Sequence, residues 1–406
     1  MKFPKTKTKT KTQDVKKDLD HKPCEINFDS FAKDIDCLRK AAEVAHPSSQ
    51  AAIDLKRFAS TSIIFGCLGW LTAPLGVNPA SILLLSLGTF SRWILAHHIC
   101  HGAYDRTNNL PAFVHRNRYG RGWRRWLDWL DWMPAEAWNQ EHNRMHHYNL
   151  NVPLEDPDLV EENIAWISSL PAPRFFKIIV VFGTACVWKP LYYGPNTLCE
   201  LWNAQWRKGK GKENNINGDF PLSSASGAAW VPWRPTVWRI AARSWIPYIL
   251  VRFIGPYFIV NSIWGHSAST ALIINLILAE ILTNLHGFVT IAPNHAGEDL
   301  YRFTGRPKSK GEFYVRQILG SCNYQTGSWW GDFLQGWLNY QIEHHIWPDM
   351  TLSQYQWVQP KVKQLCTDYG IPYIQESIWQ RCWSMIRVSI GDTSMLSGNS
   401  FQGISQ

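Results

Sequence analysis

Residues 58–91 read FASTSIIFGCLGWLTAPLGVNPASILLLSLGTFS, 34 consecutive positions without a charged side chain. About 20 apolar residues suffice for one membrane-spanning helix. The stretch is therefore long enough for two short, tilted spans, provided it is broken in the middle. Gly76-Val77-Asn78-Pro79 supplies that break. We read a hairpin with spans at about 58–75 and 79–96. A second pair follows at about 245–264 and 267–289, split near Trp264-Gly265-His266, with Arg252 and Glu280 as its only charges. Strand-like alternation is scarce, so the expected fold is an all-α membrane protein: four transmembrane helices in two hairpins carrying a helical cap.

The rest of the 406-residue chain lies outside the lipid, since its overall mean hydropathy is slightly negative. Lys and Arg fill the N-terminal arm, the segment 92–243 and the C-terminal third, whereas both hairpin turns lack them. By the positive-inside rule the termini, the central segment and the cap are cytoplasmic. The net charge of +9 then reflects attraction to anionic headgroups, and no nucleic-acid-binding module is visible. The expected organisation is a disordered basic arm over 1–30, a cytoplasmic pre-helix over 31–57, a membrane domain over 58–375 and a tail over 376–406. The Lys-Thr repeat from Lys5 to Thr12 lacks the apolar run of a signal peptide. A surface loop is expected over 207–226. Nine cysteines without a CxxC pair argue against a disulfide framework, and Cys100 is read as a packing residue. Tryptophan is abundant, at 23 residues. Trp123, Trp126, Leu127 and Leu130 share a helical face, which predicts an in-plane interfacial helix. Phe175 to Trp188 is apolar enough to span, but Lys177, Lys189 and Pro190 shorten it. A single extra crossing would also invert the cap, so an interfacial or re-entrant helix is expected.

Eight histidines fall into three clusters, which read His97-His98-Ile99-Cys100-His101, His142-Asn143-Arg144-Met145-His146-His147, and Gln341-Ile342-Glu343-His344-His345. Imidazole is the commonest neutral metal ligand, and i,i+4 spacing puts His97 with His101, and His142 with His146, on one helical face. Eight ligands exceed what one zinc site uses, so two ions are the economical reading. Nearly all-nitrogen coordination suits dioxygen-activating iron better than calcium or magnesium, which prefer oxygen donors. A membrane location points to an apolar substrate with an inert C–H bond. Gln341, three residues before His344, reaches the same face as a weak ligand or as a hydrogen-bond partner to one.

The spacing HxxxH, HxxxHH and QxxHH resembles the histidine boxes of the membrane-bound fatty acid desaturase family. The surrounding text is similar too: His101-Gly102, Glu141-His142-Asn143, Asp156-Pro157-Asp158 and Glu343-His344-His345-Ile346-Trp347-Pro348. The resemblance covers roughly 58–373. It implies two iron ions on the cytoplasmic side, an acyl channel leading to them, and dioxygen plus two external electrons per turnover. Carried over by position, His97, His101, His142, His146, His147, His344 and His345 would be ligands. The family also uses a histidine after the last span; His295 is preferred to His286, which lies inside the apolar stretch. His98 stands where the family often carries an acid and is kept as a second-rank candidate. Glu280 and Asn284, one turn apart, could order water near the site or pair within the bundle. Gln341 is typical of front-end desaturases, many of which carry a fused haem domain with an HPGG motif. Only His46-Pro47-Ser48-Ser49 approaches it here, so the expected electron donor is a separate ferredoxin or cytochrome b5, drawn to the basic surface.

Three other readings follow from the same residues. A hydroxylase or a sphingolipid desaturase of the same superfamily would share the boxes. A transporter or receptor with a structural metal would need polar residues along the spans, and 58–91 has no charge. A zinc-dependent lipid hydrolase would need a carboxylate among the ligands, with Glu141 and Glu343 as candidates.

Overall fold

The computed structural model describes residues 26–210, 222 and 232–398. The Lys-Thr repeat and most of the 207–226 loop lie outside these residues. Helix α1 (Phe28–Ala45) opens at Asn27, whose side chain accepts the Ser30 N–H, and buries Phe31, Ile35 and Ala42 along one stripe. It docks on the cap: Phe31 meets Tyr369 edge-on, and Asp36 binds Lys310 and Tyr314.

The first hairpin is α2 (Ser48–Thr72) and α3 (Pro79–His101). Asn78 caps α3 by accepting the Ser81 N–H, and Pro79 sits where a helix needs no donor. The two helices touch backbone to backbone, because a Cβ on Gly88 would stand 2.6 Å from the Gly66 nitrogen. The Ser62 and Ser91 hydroxyls bond across the same contact at 2.9 Å. Outward, α2 exposes Ile63, Ile64, Leu68 and Leu71, a surface suited to lipid.

Among the described residues, four helical runs are long and apolar enough to cross a membrane: Ser49–Leu75, Pro79–His101, Arg174–Gly209 and Pro235–Asn294. We call the third α4 and the fourth α5. Helix α5 is itself a hairpin, folded at Gly265, whose φ of 83° a side-chain-bearing residue rarely adopts. The Tyr248 hydroxyl donates to Glu280 at 2.8 Å, although 32 residues of straight helix would separate them by about 48 Å. The expected spans at 245–264 and 267–289 are its two arms. Asn275 seats this hairpin on the first: it donates to the carbonyls of Ala73 and Gly76 and accepts the Asn78 N–H.

Helix α4, expected along the interface, has the length and composition to cross. Its first residue, Arg174, binds Asp392, and its later part packs on the turn that carries the second histidine cluster. Phe175, Ile179 and Phe182 face outward from α4.

One expectation is corrected. The Trp-rich segment makes only two short turns, Gly122–Arg124 and Arg125–Asp128. The Asp128 carboxylate folds back onto the Gly120 N–H and the Arg124 guanidinium, which ends the helix. Trp123 and Trp126 are exposed, but Trp129 and Trp132 are buried.

The cap adds α6 (Lys310–Leu319), α7 (Gln341–Ile346), α8 (Leu352–Asp368) and α9 (Ile378–Ser389). Two short strands, β1 (Tyr301–Arg302) and β2 (Leu396–Ser397), pair in parallel. The segment expected as a tail is packed as far as it is described: α9 buries Arg381, which binds Asp299 with both carboxylate oxygens.

Candidate metal centre

Four local structures bring the histidines together. His97 and His101 lie on the last turn of α3, which ends in the left-handed Gly102 (φ 91°). The second cluster sits on a π-helical turn, Asn139–His146, rather than on the α-helix its i,i+4 spacing suggested. The wider turn places His147 above His142: the His147 N–H bonds the His142 carbonyl, and their Nε2 atoms are 3.2 Å apart. His295 follows the end of α5, and α7 presents Gln341, His344 and His345.

All eight histidines of the expected ligand set are buried and form one group. Nε2 of His97 lies 3.1 Å from those of both His101 and His344. One nitrogen from each of His97, His101, His142 and His344 falls within 4.8 Å of the others, as do those of His146, His295 and His345. The His147 ring stands 4.5 Å from that of His345 and 4.7 Å from that of His101, between the two sets. Two nitrogen ligands at right angles on one ion, with bonds of about 2.1 Å, stand about 3.0 Å apart. The Nε2 pairs have this spacing, and the donor chemistry fits a pair of metal ions.

Neighbours fix which ring nitrogen is free. Nδ1 of His146 bonds Asp156 at 2.9 Å, Nδ1 of His345 bonds Gln317 at 3.0 Å, and Nδ1 of His344 bonds the Tyr355 hydroxyl at 3.2 Å. Tyr355 spends its own proton on the Trp347 carbonyl, so it accepts from His344. In each case Nε2 keeps its lone pair and points into the group. His345 Nε2 and the Nδ1 atoms of His142, His147 and His295 are buried without a hydrogen-bond partner. Burial, followed by the neighbouring imidazoles, holds His142, His147, His295, His344 and His345 well below the usual histidine pKa, so they are neutral as ligands must be. His146 differs. Burial lowers it, but the Asp156 charge and hydrogen bond outweigh that and leave it raised.

The second-rank candidates divide. Gln341 joins the group, 3.0 Å from His295 Nε2. His98 turns away and bonds the Gly336 carbonyl. His286 bonds the Leu334 carbonyl and stacks on Phe90. Glu280 accepts from Trp132 and Tyr248, and Asn284 accepts the Lys189 N–H and donates to the Glu280 carbonyl. These four stay out of the group. Neither carboxylate considered for a hydrolase enters either histidine set. Glu343 is held by Asn323 and Tyr373, and burial pushes it up to about 7. Glu141 is raised well above its usual range, first by burial and then by Asp158 beside it.

Sequence reasoning missed four contributors. Asp156 had been noted only as neighbouring text; Asp158 also stands within 4.8 Å of donor nitrogens of His142 and His146. Gln317 and Tyr355 carried no signal in the sequence. An apolar cleft of 530 Å³, walled by Trp93, Thr184, Trp188, Tyr192, Phe288 and Ile291, ends on His97, His142, His146 and His295.

Comparison with known proteins gives a consistent picture. The family profile described as "Fatty acid desaturase" matches residues 72–377. The chain is 26% identical over 257 residues to the Delta(5) fatty acid desaturase A of Dictyostelium discoideum, covering 58% of this chain and 48% of that one. It is 30% identical over 125 residues to an NADPH-dependent stearoyl-CoA 9-desaturase of Mycobacterium tuberculosis, covering 29% of each. An acyl-lipid (8-3)-desaturase of Physcomitrium patens is 26% identical over 132 residues, 32% of this chain and 27% of the other. The chain thus spans about half or less of the length of these relatives.

Proposed function

The chain belongs to the fatty acid desaturase family, and from that premise we propose that it is a lipid desaturase that inserts a double bond into a fatty acyl chain. The observation that carries the reading is the apolar cleft ending on neutral imidazoles. His97, His101, His142, His146, His147, His295, His344 and His345 would hold two iron ions, with Gln341 beside His295. When bound, the irons supply the oxidising power: two hydrogens leave adjacent carbons, and dioxygen with two external electrons and two protons leaves as two waters. The chain's own residues set the conditions for this. Asp156, Gln317 and Tyr355 orient three imidazoles, and the cleft walls extend the acyl chain and keep water away. The relatives' names mention both CoA-bound and lipid-bound substrates, so they leave the acyl carrier open.

The basic balance of the chain suits an acidic electron donor of ferredoxin or cytochrome b5 type on the cytoplasmic face. The test is expression in a host lacking the activity, with mass spectrometry of total lipids and metal analysis of the purified protein. The expected result is a new alkene and about two irons per chain. One zinc without iron would overturn the proposal; an alcohol product would move it to a hydroxylase.

A further inference from the structure

We infer that the acyl chain reaches the histidines while attached to a membrane glycerolipid, entering sideways from the bilayer, and that acyl-CoA is not the carrier. This rests on the desaturase reading and adds the form of the substrate. The first observation is the charge of the cleft. Among the described residues lining it there is no Lys or Arg, and Asp158 is the one carboxylate. Coenzyme A carries several phosphate charges, and a site that admits it needs cations at its mouth.

Four cations on the elements around this cleft are engaged with other groups. Lys177 donates to the Ser168 carbonyl, Arg174 binds Asp392, Arg302 binds Glu161, and Lys189 binds Asp131. The adjoining segment 155–162 holds Glu155, Asp156, Asp158, Glu161 and Glu162 and no cation, and Glu155 and Glu162 are exposed. Incoming phosphates would therefore meet like charge.

The second observation is the character of the rim. The lining residues Trp166 and Leu191 are 50% and 51% exposed, and both are apolar. Leu191 belongs to α4, whose Phe175, Ile179 and Phe182 also face outward. The cleft thus opens beside an apolar surface that lipid would cover favourably. A glycerolipid needs to turn only one acyl chain into it while its headgroup stays at the interface. There the ammonium of a phosphatidylcholine is compatible with Glu155 and Glu162.

The test uses the purified, iron-loaded, full-length protein with an electron supply. Phosphatidylcholine in nanodiscs and the CoA ester of the same chain are offered separately. In parallel, a phosphatidylcholine with a diazirine-bearing acyl chain is photo-crosslinked and the adducts are mapped. We expect the lipid-bound chain to be desaturated at least about tenfold faster, with adducts at Trp166, Thr184 or Leu191 that excess acyl-CoA does not displace. Equal or preferred use of acyl-CoA, or displacement of the adducts by it, overturns the inference and leaves the desaturase reading intact. Cleft adducts without desaturation of either carrier count against that reading and support lateral entry. Neither adducts nor product overturns both. Reversing charge with Glu155→Lys and Glu162→Lys should narrow the gap between carriers several-fold; an unchanged ratio removes these acids from the argument.

Discussion

Two regions of this molecule bury polar groups at the same depth from solvent and treat them in opposite ways. In the stem, Glu280 receives two donors, Asn284 is bonded at both ends of its amide, and Lys189 is held by Asp131. In the histidine group, by contrast, nitrogens face nitrogens at 3.1–3.2 Å, and four further ring nitrogens have no hydrogen-bond partner. A buried polar group left without a partner costs about 1–3 kcal/mol. Single atoms stay open in the stem as well, among them Trp93 Nε1, Asp131 Oδ1 and Arg252 Nε, but in the cap several imidazole nitrogens lie within 4.8 Å of one another, the arrangement a metal ion needs. Convergence of donor nitrogens, more than burial or residue type, separates the functional from the structural set.

The sharpest way to break this contrast is to remove a group from each side. His345→Ala and His146→Ala should abolish lipid oxidation and lower bound iron from about two per chain to about one or less, with membrane insertion intact. Retained iron and activity would remove that histidine from the ligand set. Glu280→Gln should keep its iron and lose only stability, about 1–3 kcal/mol, read as a lower unfolding midpoint in detergent. Iron loss in Glu280→Gln would erase the distinction.

A second prediction tests the support beneath the ligands. Asp156→Asn keeps the shape of the side chain but removes the charge that raises His146. Metal affinity or turnover should fall about 10–100-fold. A change below twofold would make Asp156 a loop-building residue alone, through its bond to the Asn151 N–H.

How far this contrast could be read from the sequence differs between its halves. The hairpins were legible because 34 uncharged residues have no other comfortable place, and Gly76 to Pro79 and Gly265 mark the bends. The histidines were legible from their spacing. The π-turn was not, since HxxxHH allows His146 or His147 to stand over His142, and only the backbone decides. Gln317 and Tyr355 lie 28 and 11 residues from the imidazoles they orient, too far for any local pattern. Glu280, Asn284 and His286 stayed ambiguous because an apolar run shows that a polar residue is costly there without showing what it meets. The Trp-rich segment was misread for a related reason: Asp128 could equally have faced water, and it ends the helix by turning inward.

Acid should act on the two regions unequally. The neutral histidines have folded pKa values below the 6.5 of an unfolded chain. Below that pH the unfolded chain takes up protons that the folded group refuses, so stability falls as pH falls through and below about 6.5. The metal-free protein should therefore lose its unfolding midpoint steeply between about pH 6.5 and 5, and iron loading should reduce the slope. A flat profile for the metal-free form would mean that the imidazoles are not held neutral.

The smallest effect is expected at His98, and it discriminates because His98 sits between the two kinds of region. It neighbours His97 on α3, yet the turn of the helix points its ring toward the Gly336 carbonyl, 2.9 Å away. Its other nitrogen is buried without a hydrogen-bond partner, as in the ligand set, but it belongs to neither group of histidine nitrogens that lie within 4.8 Å of one another. If an unpartnered nitrogen alone marked a ligand, His98→Gln would cost iron. If mutual approach of nitrogens marks it, His98→Gln should keep both irons, because the glutamine amide can still donate to Gly336. The cost should then be about 0.5–1.5 kcal/mol of stability, the worth of one neutral hydrogen bond. Measuring iron content and unfolding midpoint in the same preparation separates the two rules, and loss of one iron per chain would place His98 among the ligands.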